Sequence, residues 1–266
     1  MPRTNIPLAG GNTLVAEHNL YDFRQIVPTT GNIWFVDSGA AAGGNGLSPE
    51  GAKTTLDAAI NLCTANNGDT IYVMEGHAES FSAADGFDAD VAGVAIIGLG
   101  RGAMRPTFTF ADTDATVAVG AANVRFENLR FVAGLSAVVV GVDVEAAGVD
   151  FEMHKCEFYW GGTTTWDFLQ SLNINVGAHR AIVTDCRFIA EPAVAGASTA
   201  IQLVGAVHNV RVERCEFFGD YSLACMSNIT TLCQGLMFLD NLVHNTDAGE
   251  PYLEVVTGTT GINSNT

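Results

Sequence analysis

The sequence predicts an all-β chain wound as a parallel β-helix, a solenoid with a short N-terminal capping helix. Three observations point there. A nine-residue phrase recurs, as "VRFENLRFV" from Val124, "FEMHKCEFY" from Phe151, "AIVTDCRFI" from Ala181, "VRVERCEFF" from Val210 and "LMFLDNLVH" from Leu236. Aligned on the slot held by Leu129, Cys156, Cys186, Cys215 and Asn241, the copies stand 27, 30, 29 and 26 residues apart. No helical pattern of adequate length lies between them, which argues against βαβ units, and propeller blades need roughly 40 to 50 residues per repeat.

Within each copy the apolar residues fall five and three positions before the slot, then at the slot and two after it. That is strand alternation with a one-residue phase shift, so each copy reads as two short strands separated by a bend. An earlier copy, "VAIIGLGR", fits with Leu99 in the slot, although Arg101 breaks the column that Phe131, Phe158, Phe188, Phe217 and Val243 form. A third β-rich run precedes the pairs: "ATVAVG" from Ala115, "AVVVGVDV" from Ala137, "LNINVG" from Leu172 and "AIQLVG" from Ala200; "PYLEVV" from Pro251 follows the last copy. Three strands per period make one coil, and successive coils pair at roughly 4.8 Å so that each column becomes an interior ladder. The slot is then an interior corner. Cysteine is small and apolar enough to stack there, and burial argues against a catalytic role.

The ends follow from the same reading. Residues 1–30 show no period and are expected to form an arm for attachment or docking, with the solenoid over 31–266. "IWFVDSG" reads as a strand and "AAAGGNGLSPEGA" as a loop. "TTLDAAINLCTANNGD" reads as the capping helix, near 55–66, with Leu56, Ala59, Ile60 and Cys63 on one face. Thr54 with Asp57 resembles a capping box, and "NNGD" is a stop signal. "TIYVMEG" starts the first coil. At the far end "GTTGINSNT" puts Ile262 and Ser264 at the −5 and −3 positions of a further coil. That coil is to be covered by a neighbouring subunit or by a longer product.

Composition narrows the partners. The formal charge is −17, and Lys53 and Lys155 are the two lysines. Such a surface repels phosphate backbones and anionic lipid, so neither nucleic acid nor membrane is expected as a partner. The opening residues lack an apolar h-region, no signal peptide is expected, and no apolar run reaches the roughly 18 residues of a membrane span. The six cysteines form neither a CxxC nor a Cys/His pattern, so reduced thiols in a reducing cytoplasm are expected.

The run from Ile33 to Phe81 resembles the opening of right-handed parallel β-helix proteins of the pectate-lyase-like superfamily. There a strand, a Gly/Asn loop, a Thr-led capping helix and "GDxIxVxxGxxxE" precede the coils. Gly68, Asp69, Ile71, Val73, Gly76 and Glu79 match that last element, with one residue fewer before the glutamate. The resemblance covers residues 32–264, and the bias of parallel crossovers also favours the right hand. More narrowly, "DVAGVAIIGLGRGAMRPTFTF" and "NTDAGEP" resemble β-helix virion proteins of tailed bacteriophages, tailspike-like or capsid-decorating. That resemblance implies a non-catalytic structural protein at the virion surface, assembled in the bacterial host cytoplasm. It also implies a homotrimer in contact with other virion proteins, such as a major capsid or cement protein. The alternatives are a polysaccharide lyase or hydrolase, and a non-catalytic glycan-binding adhesin.

No catalytic, cofactor or metal residues are assigned. The acid pairs Asp88 and Asp90, Asp112 and Asp114, Asp143 and Glu145, and Asp150 and Glu152 have the alternate spacing that could hold calcium or form an acid/base pair. Solvated strands of an acidic protein show the same spacing. The nearest arginines, Arg125 and Arg130, lie in the repeats and match no lyase motif. His179 and His208 sit seven residues before the slot in successive coils and are expected to stack at a turn, while His77 lies between Glu75 and Glu79. The richest aromatic stretch is "FYWGGTTTWDF", where Tyr159, Trp160, Trp166 and Asp167 are the candidate glycan or subunit contact.

Overall fold

A computed structural model describes residues 6–7, 13–14, 31–83, 85–163, 165–193, 196–228 and 231–264. The expected arm over 1–30 lies outside them, apart from Ile6–Pro7 and Thr13–Leu14, which pair antiparallel. The rest is an all-β parallel solenoid of about six turns. Among the described residues it has three parallel sheets of nine, seven and seven strands.

Sheet A begins with Ile33–Val36 and takes one strand from each coil: Thr70–Val73, Ala95–Gly98, Arg125–Glu127, Glu152–His154, Ile182–Thr184, Arg211–Glu213, Gln234–Leu239 and Thr260–Ser264. Sheet B contains Ala78–Phe81, Thr107–Phe110, Arg130–Ala133, Glu157–Tyr159, Arg187–Ile189, Glu216–Gly219 and Leu242–Asn245. Sheet C contains Asp85–Asp88, Thr116–Val119, Val138–Val144, Phe168–Asn175, Ala197–Val204, Tyr221–Asn228 and Leu253–Val255.

The bend inferred between the paired strands is a single left-handed residue. Asn128, Lys155, Asp185, Arg214 and Asp240 have φ between 51° and 57°. A second such column, Asn123, Asp150, Arg180 and Asn209, precedes sheet A, with φ between 58° and 64°. Asparagine and aspartate tolerate this region better than other non-glycine residues. The lysine and arginines are held there by the ladder: Lys155 N–H donates to Thr184 O, and Arg180 N–H to His208 O. The polar residue before each slot is thus explained, because a left-handed corner turns its side chain outward while the next residue points in.

Inside, the columns stack as expected. Leu129, Cys156, Cys186, Cys215 and Asn241 are all buried. The rings of Phe131, Phe158, Phe188 and Phe217 follow one another at 5.0, 5.1 and 5.0 Å. Each fully buried phenylalanine contributes about 1.5 to 3 kcal/mol, and ring pairing adds about 0.5 to 1.5 kcal/mol.

Three expectations need correction. Leu99 does not occupy the interior slot: it packs outside sheet A against a second apolar cluster. The chain makes an excursion after Gly98, through a 3-10 turn at Gly102–Met104, and re-enters sheet B only at Thr107. Phe108, not Arg101, therefore pairs with Phe131, and the rings lie 5.9 Å apart. The helix is Leu56–Ile60, five residues rather than the stretch near 55–66, and its N-cap is Thr55, whose side chain accepts from Ala58 N–H. At the far end a register shift after Gln234 sets Gly261 beside Leu236 and Asn263 beside Phe238. Ile262 and Ser264 are thus one place out of the −5 and −3 columns.

The motif residues at the start of the solenoid anchor the chain. The buried Asp69 carboxylate accepts from Asn32 N–H at 2.6 Å, Thr64 N–H at 2.7 Å and Asn67 Nδ2 at 2.7 Å. Glu79 Oε2 accepts from Leu56 N–H at 3.0 Å, so a carboxylate from the first coil holds an unpaired donor of the helix start. Buried His77 lies 3.3 Å from that oxygen through Nε2, while its Nδ1 accepts from Ser38 N–H at 2.9 Å. His77 is therefore part of the fold's anchoring.

Candidate functional surface

The aromatic stretch divides between the surface and a buried corner. Tyr159 ends its strand on the outer face of sheet B. Its ring lies 5.9 Å from that of Trp160, and the Arg130 guanidinium sits 4.7 Å from its centroid. Trp160 and Trp166 are half-buried in the excursion that leads to sheet C. Gly161, at φ 70°, makes room there, because a Cβ would meet Trp166 at 3.2 Å and Ala133 O at 2.1 Å. Asp167 faces the other way and is 2% exposed. Its oxygens accept from Phe168 N–H and Glu191 N–H, both at 3.0 Å. Burial pushes its pKa up to about 7 against those two bonds, and the neighbouring charges of Glu191 and Asp220 add to the rise. The carboxyl braces two chain crossings, so it does not join the three rings on one accessible wall.

The acid pairs spread over different tasks. Asp88 and Asp90 are exposed at the edge of sheet C. Asp112 accepts from Asp114 N–H at 3.0 Å and so forms a turn. Asp143 accepts from Asn175 Nδ2 at 2.7 Å, and burial raises its pKa despite that bond. Asp150 is doubly bonded to Arg180 at 2.6 Å, which lowers its pKa, while Glu152 bonds His154 at 3.0 Å. Among the described residues no group of three or more His, Cys, Asp or Glu is arranged to hold a metal ion.

The histidine stack is present, with ring centroids 4.9 Å apart for His179 and His208. His179 Nδ1 accepts from His208 N–H, and His208 Nδ1 from Gln234 N–H, both at 3.2 Å. Both imidazoles are thereby committed to the turn. The thiols are likewise occupied: Cys156, Cys186 and Cys215 each donate to the carbonyl two residues before them. Burial, with the adjoining thiols of Cys156 and Cys215, pushes Cys186 well above the usual thiol range, so it stays protonated.

One group on this surface escaped the sequence reading. Arg105, Arg130 and Arg187 converge on Glu157 at 3.5, 2.9 and 3.1 Å, and Arg187 also reaches Glu216 at 2.7 Å. The signal was available, since Arg130, Glu157, Arg187 and Glu216 each stand one residue after the slot. On sheet A a second network links Glu127 to Arg125 at 2.7 Å and Lys155 at 3.1 Å. Burial works against the Glu127 carboxylate, but the bonds from Lys155 and Arg125 outweigh it and hold its pKa below the usual range.

Compared with protein-family profiles, with curated proteins and with solved structures, the chain matches none. The functional reading therefore rests on the surface itself and on the sequence resemblance. No helix among the described residues is long and apolar enough to cross a membrane.

Proposed function

We propose that this chain is a structural protein of a tailed-bacteriophage virion, a right-handed β-helix that decorates the particle by contact rather than by catalysis. In this reading the helix at Leu56–Ile60 caps the tube and residues 1–30 attach it to a shell protein. The single observation that carries the reading is the form of the exterior. Functional-looking side chains are arranged in ladders along the solenoid, one per coil. Most of the carboxylates described above are engaged with cations, backbone donors or a side-chain amide, and Asp88 and Asp90 are exposed. Such ladders suit extended contact along a rigid rod. A concavity lined by Gly93, Asn123, Arg125, Asp150 and Glu152 has a volume of about 220 Å³, below the roughly 300 Å³ at which small-molecule sites begin. The resemblance of "DVAGVAIIGLGRGAMRPTFTF" and "NTDAGEP" to phage β-helix proteins supplies the biological setting.

Co-sedimentation with tailed-phage capsid shells tests the proposal. The full chain is expected to pellet with shells, and deletion of residues 1–30 to abolish pelleting while leaving the β-type circular dichroism unchanged. A chain that ignores shells, or that cleaves a bacterial surface polysaccharide in the presence of calcium, would overturn the reading in favour of a depolymerase.

A further inference from the structure

We propose that the outer face of sheet B pairs two copies of this chain, antiparallel, about a twofold axis. The inference rests on the assembly reading above and names the face and the partner.

Two columns of side chains run along that face at roughly 4.8 Å per coil. The first is Arg130, Glu157, Arg187 and Glu216, in register from strand to strand, so its sign alternates. The second is Val132, Tyr159, Ile189 and Phe218, apolar in these four coils and flanked by Thr109 and His244, with Phe218 37% exposed and stacked on His244 at 5.2 Å. An alternating column turned end for end meets itself with opposite signs. About an axis between Glu157 and Arg187, Arg130 faces Glu216 and Glu157 faces Arg187. The same rotation sets Val132 on Phe218 and Tyr159 on Ile189. Both columns are thus complementary to themselves under one operation, which an isologous pair requires. A parallel copy in register on the same face would oppose guanidinium to guanidinium at two coils.

Charge also selects the partner. The chain carries −17, yet three guanidinium groups gather on this face around Glu157. Two copies meet here with less repulsion than on the acidic remainder of the surface. With the flanking strands Thr107–Phe110 and Leu242–Asn245 the face spans six strands, roughly 29 by 12 Å at about 4.8 Å per strand, so a pair buries on the order of 700 Å² in total. That is below the roughly 1,200 Å² at which standard specific interfaces begin, so the pair is a transient one and weak in dilute solution. It forms where copies are crowded.

Sedimentation velocity of the full chain tests this, from about 1 to 500 µM at low and high salt. A monomer–dimer equilibrium is expected, with a Kd in the tens of micromolar that weakens with salt. Arg130→Glu and Glu216→Arg each oppose like charges across the axis, and each is expected to weaken pairing more than tenfold. Mixed together, these two variants restore opposite charges at both contacts, and a heterodimer should form. Each also loses an ion pair within its own chain, but a merely loosened fold would not be rescued by mixing. Phe218→Ser, at an exposed position, should weaken pairing while leaving the melting temperature within about 2 °C. A monomer at every concentration, no rescue on mixing, or the trimer implied by the resemblance would each overturn the pairing. None of these outcomes touches shell co-sedimentation, so failure here and failure of the virion reading are separable.

Discussion

The outer face of sheet A has two halves built on one backbone. In its first three strands that face is apolar: Ile33, Phe35, Tyr72 and Ile97 are buried in a cluster of their own, with Ala52 from the chain that returns after the loop. Phe35 N–H donates to Gly46 O, and Lys53 N–H to Phe35 O, so the returning segment is bonded to the strand beside it. From Arg125 onward most of the same positions are polar: Arg125, Glu127, Glu152 and His154, later Arg211 and Glu213, pair with each other, while Ile182 and Met237 interrupt the series. Interior columns continue through both halves: Ile71, Ile96, Phe126, Met153, Val183 and Val212 are all buried. The lesson is a division of labour. The inward residue of each strand sets the coil, while the outward residue decides whether the coil is covered by its own chain or left open for contact.

The largest expected effect concerns a carboxylate that belongs to neither half, buried without a cation. Asp167 is held near 7 by burial, against about 3.9 in an unfolded chain. The folded state thus binds a proton more readily, and the stabilisation is fully present below about pH 4. It is lost as pH climbs toward 7, by about 4 kcal/mol. Guanidinium midpoints measured at pH 5 and pH 8 should fall with rising pH, and Asp167→Asn should flatten the difference. An unchanged slope in the variant would remove Asp167 from the account.

Next comes the covered half. Phe35→Ala is expected to cost about 3 kcal/mol in guanidinium unfolding, because the overlying loop cannot fully collapse onto the space. In the open half, Glu127→Gln should cost about 2 kcal/mol, since the carboxylate is 8% exposed and its two cations would be left half-paired. Its pKa is depressed, so this contribution is present at neutral pH and disappears as pH falls through the carboxylate range; wild type and variant should converge in acid. The smallest effect is Glu152→Ala, on a 40% exposed side chain, at under about 0.5 kcal/mol. If Glu152→Ala proved as costly as Phe35→Ala, the two halves would not differ as described.

Much of the solenoid could be read from the chain because Cys156, Cys186 and Cys215 keep a fixed relation to the apolar positions around them. Where the repeat is interrupted, the columns slip by recognisable amounts. Leu99 looked like a slot residue since nothing in "GLGRGAMRP" announces that the corner is postponed to Pro106. Ile262 fell one place out because the shift at Gln234 absorbs a residue without changing the composition. The surface was less legible. Tyr159 and Trp160 could be named as an aromatic pair, but the burial of Asp167 depends on Glu191, 24 residues further on. The convergence of Arg105 on Glu157 depends on the excursion after Gly98, which the repeat pattern does not reveal.

The regular spacing of pairing partners has a mechanical consequence. From Arg125 onward almost every strand is bonded to chain 23 to 30 residues away, and to little that lies farther off. A force that separates the two ends of the solenoid therefore meets coils in series, each detachable without disturbing those beneath it. Extension at constant speed should yield a train of near-equal releases, each freeing about 95 Å of chain. The molecule would give way like a spring losing one turn at a time rather than like a globule that ruptures at once.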